Sequence, residues 1–254
     1  MENKPKILVF DVETLPNIGY CWGRYDQNII RFLQQSCIAT FSAKWLHEKK
    51  MISRALRDYP GYKAGSYDDK ELVKDIWKLL DEADIVIAHH GVGFDFKVCT
   101  ARFIFHELPP PAPYKMIDTK LIFSGISKFN TNKLDDLCQT LGIGRKIKTD
   151  FDLWEGCIKG EKKSWDLMVK YNEQDVIMLE ELYLRALPYV KDHPNLTLWT
   201  NGLCPKCGSA EVQYRGYQGT TTRVYRRFQC KHCFGWGRAV KCEKSPKALT
   251  TNIA

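Results

Sequence analysis

Ile7-Leu8-Val9-Phe10-Asp11-Val12-Glu13 is a strand whose chemistry changes before it ends. Four consecutive apolar residues mark a strand buried on both faces. Side chains alternate along a strand, so Asp11 and Glu13 point to the same face. Carboxylates are costly to bury unless a charge partner meets them. A strand end that aims two of them at one point suits a hard cation with oxygen ligands. Taken alone, Asp-x-Glu after a strand is a weak signal, and the start of a solvated loop is its plainer reading.

Two further acidic positions interrupt core-like sequence. Asp84-Ile85-Val86-Ile87-Ala88 reads as a second short buried strand. It runs into His89-His90-Gly91-Val92-Gly93, a permissive turn, and then into a helix pattern beginning near Asp95, with Phe96, Cys99, Phe103 and His106 at helical spacing. An Asp that opens a helix is ordinarily a cap, and a metal ligand in the same place is compatible with that. From Trp165 to Leu187 the sequence is strongly amphipathic, with Met168, Tyr171, Asp175, Leu179 and Leu182 on one stripe. Asp175 is the anomaly in that stripe, and Tyr171 lies one turn before it. Three acidic clusters in one chain imply a shared partner, and a pair of divalent cations is the simplest one.

In order and context, Asp11/Glu13, Asp95 and Tyr171/Asp175 resemble the three exonuclease motifs of the DnaQ-like, or DEDD, superfamily of 3′–5′ exonucleases. That superfamily places His or Tyr shortly before its last Asp. Tyr171 stands four positions before Asp175, so the chain is similar to the tyrosine subclass, DEDDy. Ile117-Asp118-Thr119 resembles the strand after the second motif, and Leu134 to Gly142 the helix before the third; together the likeness covers about residues 6–188. It implies an α/β, ribonuclease-H-like mixed sheet flanked by helices. It also implies two Mg²⁺ or Mn²⁺ ions held by Asp11, Glu13, Asp95 and Asp175, a water oriented by Tyr171, 3′–5′ direction and a mononucleotide product. His90 stands where members of the superfamily often carry Asn, a position that meets the substrate's terminal nucleotide.

The 254 residues fit one medium domain and a small module, and the charge is divided accordingly. Residues 1–190 hold 27 Lys/Arg and 27 Asp/Glu, whereas residues 191–254 hold 11 and 3, which is the whole formal excess of +8. Such an asymmetry points to a separate nucleic-acid-facing module. The expected division is a catalytic domain over 1–190, a zinc-ribbon module over 191–243 and a loose tail over 244–254. No apolar run approaches membrane-spanning length, and Met-Glu-Asn-Lys-Pro-Lys lacks a signal-peptide core, so a reducing cytoplasmic setting without membrane is expected.

In that setting, Cys-x-x-Cys pairs mean metal rather than disulfide. Cys204-Pro205-Lys206-Cys207 is answered by Cys230-Lys231-His232-Cys233, and the four thiolates would hold one structural Zn²⁺. The segment between them, rich in Tyr, Thr, Val and Arg, reads as an exposed hairpin. His232 and Cys242 would break the symmetry of the two knuckles. Cys21, Cys37, Cys99, Cys138 and Cys157 are scattered and read as small core residues. In the module, Arg215, Arg223, Arg226, Arg227 and Arg238 interleave with Tyr214, Tyr217, Tyr225, Phe228 and Trp236. Cations can meet phosphates and aromatics can stack on bases, a mode suited to single strands. A purely structural staple or a protein-docking knob remains the plainer alternative. Arg145, Lys146 and Lys148 could contact phosphates or simply form a solvated basic loop. Gly142-Ile143-Gly144-Arg145-Lys146 follows a helix rather than a strand, which excludes a dinucleotide loop and makes Gly142 a helix stop.

The expected function is metal-dependent 3′–5′ exonuclease action on nucleic acid, with single-stranded DNA ends favoured and RNA open. Replication or repair proteins are the candidate partners. A structure-specific endonuclease on the same core, and a non-catalytic nucleic-acid-binding or replication scaffold, are the alternatives. No polymerase domain fits in this length, so a proofreading role would act in trans.

Overall fold

The computed structural model describes residues 4–23, 25 and 28–244. Strand β1 (Ile7–Thr14) is the centre of a five-stranded sheet. Leu8, Phe10 and Val12 alternate into one continuous core cluster, which leaves Asp11 and Glu13 on the other face. β4 (Ile38–Trp45) pairs antiparallel with β1, and β5 (Ile52–Ala55) antiparallel with β4. On the opposite side β6 (Ile85–Ala88) pairs parallel with β1, and β7 (Lys115–Asp118) parallel with β6. The order is β5-β4-β1-β6-β7, a mixed sheet in which β1 divides the antiparallel side from the parallel side. In open α/β sheets, ligand sites gather beyond the carboxyl ends of parallel strands. Asp11 and Glu13 lie toward that end of β1.

Helix α1 (Lys70–Glu82) connects β5 to β6, and α2 (Asp95–Phe105) connects β6 to β7. Parallel neighbours need such crossovers. Asp69, fully buried before α1, binds α2 and the sheet together. It accepts from Arg102 at 2.8 and 2.5 Å, contacts His106 at 2.6 Å and accepts from the Ile38 amide at 2.9 Å. His106, which helical spacing places on the apolar side of α2, therefore serves a buried ion network. Three short helices follow: α3 (Thr119–Ile126), α4 (Leu134–Thr140) and α5 (Phe151–Ile158). Gly142, at φ +68°, ends the turn after α4, as its sequence context requires. The long helix α6 (Lys162–Ala186) carries the predicted stripe: Met168, Asp175, Leu179 and Leu182 are buried.

Between β1 and β4, β2 (Ile18–Tyr20) and β3 (Arg31–Gln34) form a separate two-stranded ribbon. The Pro109–Pro113 stretch has no regular structure. Lys6–Tyr183 form one compact unit; a second begins at Leu184. In the second unit, β8 (Val212–Gly219), β9 (Val224–Cys230) and β10 (Trp236–Lys244) make an antiparallel sheet in the order β10-β9-β8. The sequence shows the first two strands as a hairpin, and β10 completes the sheet. Residue 244 closes β10; the rest of the expected tail, 245–254, lies outside the described residues. Among the described residues, no helix is long and apolar enough to cross a membrane.

Candidate active site and metal centres

Three of the four predicted carboxylates converge. Oxygen atoms of Asp11, Glu13 and Asp175 all lie within 4.8 Å of one another. Asp11 and Glu13 arrive from one face of β1, and Asp175 from the buried stripe of α6. Asp95 does not join that set of three. It is the first residue of α2, with Phe94 in the cap position, so it is not the ordinary cap its place in the sequence suggested. Instead its Oδ1 accepts from the Val12 amide at 3.1 Å, between the two acidic residues of β1. Its charge is nonetheless felt in the cluster, because after burial it is the strongest influence holding the Asp11 carboxyl above the usual range. Glu173, in the same turn of α6, bonds Ser53 on β5.

The electrostatics are those of a buried site in which carboxylates outnumber the one ammonium, that of Lys146. Burial first, then the Asp95, Asp175 and Glu13 charges, push the Asp11 carboxyl well up. Burial pushes Glu13 to about 7, with Lys146 opposing, and pushes Asp95 to about 7 as well. Asp175 is also raised by burial, again opposed by Lys146. Its Oδ1 is buried with no hydrogen-bond partner. An orphan carboxylate oxygen beside two further carboxylates fits a divalent cation with oxygen ligands.

Lys146, foreseen as a phosphate contact from its basic loop, turns inward. Its Nζ lies 2.5 Å from Asp175 Oδ2, 3.2 Å from the Tyr171 hydroxyl and 5.0 Å from the Tyr171 ring centre. Its backbone amide is fixed by Asp135 Oδ1 at 2.7 Å. Burial raises the Tyr171 phenol, so it keeps its proton. The ring is braced edge-on by Trp154 at 6.4 Å. Trp154 also lines a groove of 660 Å³ with Thr14, Leu15, Ser36 and Phe151, and it donates from Nε1 to the Thr14 carbonyl.

Sequence reasoning missed two residues here. Asn172 is fully buried and donates from Nδ2 to Asp11 Oδ2 at 2.6 Å. The signal existed, since Asn172 lies one turn after Met168 on the buried stripe. Asp118 is the other. It caps α3 through Lys120 and accepts from the backbone amides of His90 at 2.9 Å and Val92 at 3.1 Å. It thereby fixes the turn that leads into Asp95. His90 is exposed in the left-handed region at φ +67°, with its ring over Gly93, where a β-carbon would come within 2.4 Å of Cε1.

The second centre is the cysteine cluster. The sulfurs of Cys204, Cys207, Cys230 and Cys233 lie within 4.8 Å of one another. Cys204 and Cys233, and likewise Cys207 and Cys230, are 3.6 Å apart. Four thiolates about 2.3 Å from a tetrahedral zinc would be separated by roughly 3.8 Å, so the spacing fits. Neither His232 nor Cys242 joins the cluster: the histidine is exposed, and Cys242 lies opposite Tyr225 in β10. The basic and aromatic residues of the module divide by register. Arg227, Tyr225, Trp236 and Arg215 share one face, Arg226 occupies the other, and Arg223 adjoins β9 at the turn from β8.

The fold is similar to that of a solved structure titled as the family B DNA polymerase from the hyperthermophilic archaeon Pyrobaculum calidifontis. The likeness has a TM-score of 0.54 at 14% identity, and covers 73% of this chain and 25% of that one. The chain thus spans about a quarter of the polymerase's length. No curated protein matches the sequence. The family model RNase_H_2, described as RNase_H superfamily, matches residues 33–187. That is more than half of the chain, and with the acidic cluster it supports a nuclease in the broad sense. The chain belongs to the RNase_H superfamily.

Proposed function

We propose that the chain is a metal-dependent 3′–5′ exonuclease acting on nucleic acid, with single-stranded DNA ends favoured. The observation that carries this reading is the convergence of Asp11, Glu13 and Asp175 around an unpartnered buried oxygen, with the Tyr171 hydroxyl one helical turn away. Direction of attack rests on the resemblance of the three motifs to the DEDDy subclass. Two Mg²⁺ or Mn²⁺ ions held by Asp11, Glu13, Asp95 and Asp175 would supply an activated water and charge stabilisation for the leaving 3′ oxygen.

The protein's own groups have separate tasks. Asn172 fixes the Asp11 carboxylate, which orients a ligand oxygen before any cation arrives. Asp118 holds the turn from which Asp95 enters α2. The protonated Tyr171 hydroxyl accepts from Lys146 and has its own hydrogen left to orient a water. Lys146 pairs with Asp175. With that charge met by a cation, its ammonium is free to meet a phosphate oxygen. The groove lined by Trp154, the residue that braces Tyr171, is the candidate place for the substrate strand.

The test is a product ladder. Purified protein is incubated with 5′-labelled single-stranded DNA, duplex DNA or RNA, with Mg²⁺ or Mn²⁺. Stepwise shortening from the 3′ end, abolished by a blocked 3′ terminus, is expected. Internal cleavage of the end-blocked strand would instead make the chain an endonuclease on the same core. No cleavage of any substrate would leave a non-catalytic scaffold.

A further inference from the structure

Strand register sorts the basic and aromatic residues of the second unit onto two faces. Along β9, Tyr225, Arg227 and Gln229 alternate with Arg226, Phe228 and Cys230. Opposite partners share a face. Gln229 faces Trp236 and Gln213, Arg227 faces Arg238, and Tyr225 faces Gln218. Arg215 follows Gln213 onto the same face by alternation, just before the chain is shifted in register at Gly216, which takes φ +74°. Its guanidinium stands 5.5 Å from the Trp236 ring centre, and that of Arg227 stands 5.2 Å from the same ring. Arg238 lies 4.4 Å over Tyr225. Arg215 donates to Gln229 Oε1 at 2.6 Å, and Arg227 donates from Nε to the Arg215 carbonyl at 2.7 Å.

This face therefore carries three arginines in cation–π contact with two rings, Arg215 and Arg227 with Trp236 and Arg238 with Tyr225. Such a contact restrains a guanidinium while leaving N–H donors for a second partner. All three arginines are exposed, and Trp236 keeps 45% of its surface open. Neither β8 nor β9 contains an acidic residue. The other face is built differently. Phe228 is buried at its centre, fills the space left by the missing side chain of Gly237 and packs edge-on against Tyr214. Its one β9 arginine, Arg226, is spread over the Tyr214 ring at 4.3 Å. One face is thus an open bed of cations and rings, and the other belongs largely to the small core of the sheet.

We infer that the face formed by Arg215, Arg227, Arg238, Tyr225 and Trp236 binds single-stranded nucleic acid, and that the face bearing Arg226 does not. Phosphates meet the row of arginine edges, and an unpaired base stacks on the open part of Trp236. A base stacked and paired inside a duplex has no free face to offer a protein ring, which selects single strands over duplex. The inference deepens the nuclease reading and takes its substrate class from it, yet the binding face can be measured without turnover.

Arg226 and Arg227 are sequence neighbours of identical chemistry on opposite faces, so they form a matched pair. The full-length chain carrying Asp175→Asn, which prevents degradation, is titrated against a fluorescent oligothymidylate of about 16 nucleotides over a range of salt. Zinc content is checked in each variant. Arg227→Gln is expected to weaken binding several-fold and to lower the slope of log affinity against log salt by about 0.7, the share of one single-strand phosphate contact. Arg215→Gln and Arg238→Gln should each do the same. Trp236→Ala should cost about tenfold with its slope unchanged. Arg226→Gln should stay within about twofold of the parent and leave the slope unaltered. Equal losses from Arg226→Gln and Arg227→Gln would overturn the assignment of a face. No loss from any of them would overturn nucleic-acid binding by the sheet and favour an acidic protein as its partner. In the parent chain without Asp175→Asn, hydrolysis of a small chromogenic phosphodiester, which reads the acidic cluster alone, is measured beside the titrations. Failure of that assay in the parent chain would count against the nuclease reading and leave the face intact.

Discussion

Lys146 Nζ lies 2.5 Å from Asp175 Oδ2, so a lysine tethered in the loop after α4 is the counter-ion of the acidic cluster when no divalent cation is bound. The lysine side chain is 29% exposed and the aspartate side chain only 2%. Removing it strands a buried charge, which is more damaging than losing a surface pair. Lys146→Gln should lower stability by about 2 kcal/mol in cation-free buffer, discounted from a fully buried pair for the lysine's exposure. Mn²⁺ should restore most of that loss. The check is thermal unfolding of variant and parent with and without Mn²⁺; an equal deficit in both conditions would mean that Lys146 is no stand-in for a cation.

Replacing a ligand carboxylate with its amide keeps the shape and removes the charge that holds a cation. Asp175→Asn and Asp11→Asn should each reduce turnover by roughly a thousandfold or more, while affinity for an oligonucleotide survives. Single-turnover kinetics with a separate binding titration distinguishes the two effects. Near-normal turnover in Asp175→Asn would sink the two-cation assignment.

The Tyr171 hydroxyl can be removed with little change in volume. Packing against Trp154 survives in Tyr171→Phe, but the hydrogen-bond partner of Lys146 and of the proposed water is lost. Turnover should fall about a hundredfold with the substrate KM little changed. An unaltered rate would reduce Tyr171 to a packing residue.

Much of this site is written in the sequence, and the rest is hidden for a physical reason. The change from Phe10 to Asp11 inside a buried strand, and Asp175 inside an apolar stripe, violate local patterns, and such violations mark sites. The mixed ribonuclease-H-like sheet follows from the same motifs. What period alone cannot show is a partner far along the chain. Asn172 meets Asp11 across 161 positions, and Asp69 gathers Ile38, Arg102 and His106 from three elements. Lys146 sits in a basic loop whose composition gives no hint of its inward turn. The ribbon of β2 and β3 and the third strand β10 are likewise set by tertiary pairing, because short strands have weak local signals.

Raised carboxyl groups make stability fall as pH rises. Glu13 and Asp95 move from ordinary carboxylate values to about 7 in the folded protein, chiefly through burial, with the Asp175 and Asp95 charges adding to the rise of Glu13 and the Asp118 charge to that of Asp95. Between about pH 4 and pH 7 the folded state therefore binds more protons than the unfolded chain. The associated stability is fully present below about pH 4 and is lost as pH rises through 7. Divalent cations oppose that loss by meeting the ionised cluster. The Tm gain from Mn²⁺ should thus be small at pH 5 and about 5 °C larger at pH 8, and the difference should shrink in Asp95→Asn. A gain independent of pH would show that the cation binds elsewhere.

The cysteine cluster makes a separate prediction about the second unit. That unit has few buried apolar side chains besides Phe228 and the cysteines themselves, so zinc would provide much of its folding energy. The protein should carry one zinc per chain, measured by elemental analysis, and Cys204→Ser or Cys230→Ser should abolish it. Loss of the metal should unfold β8–β10, seen as exchange of their amides with deuterium. The sheet of β1, β4 and β6 should stay protected, because its hydrogen bonds and core cluster lie entirely within Lys6–Tyr183. Hydrolysis of a small phosphodiester by the acidic cluster should survive in the zinc-free variant, whereas affinity for a long single strand should fall. Full retention of that affinity without zinc would detach substrate binding from the folded ribbon.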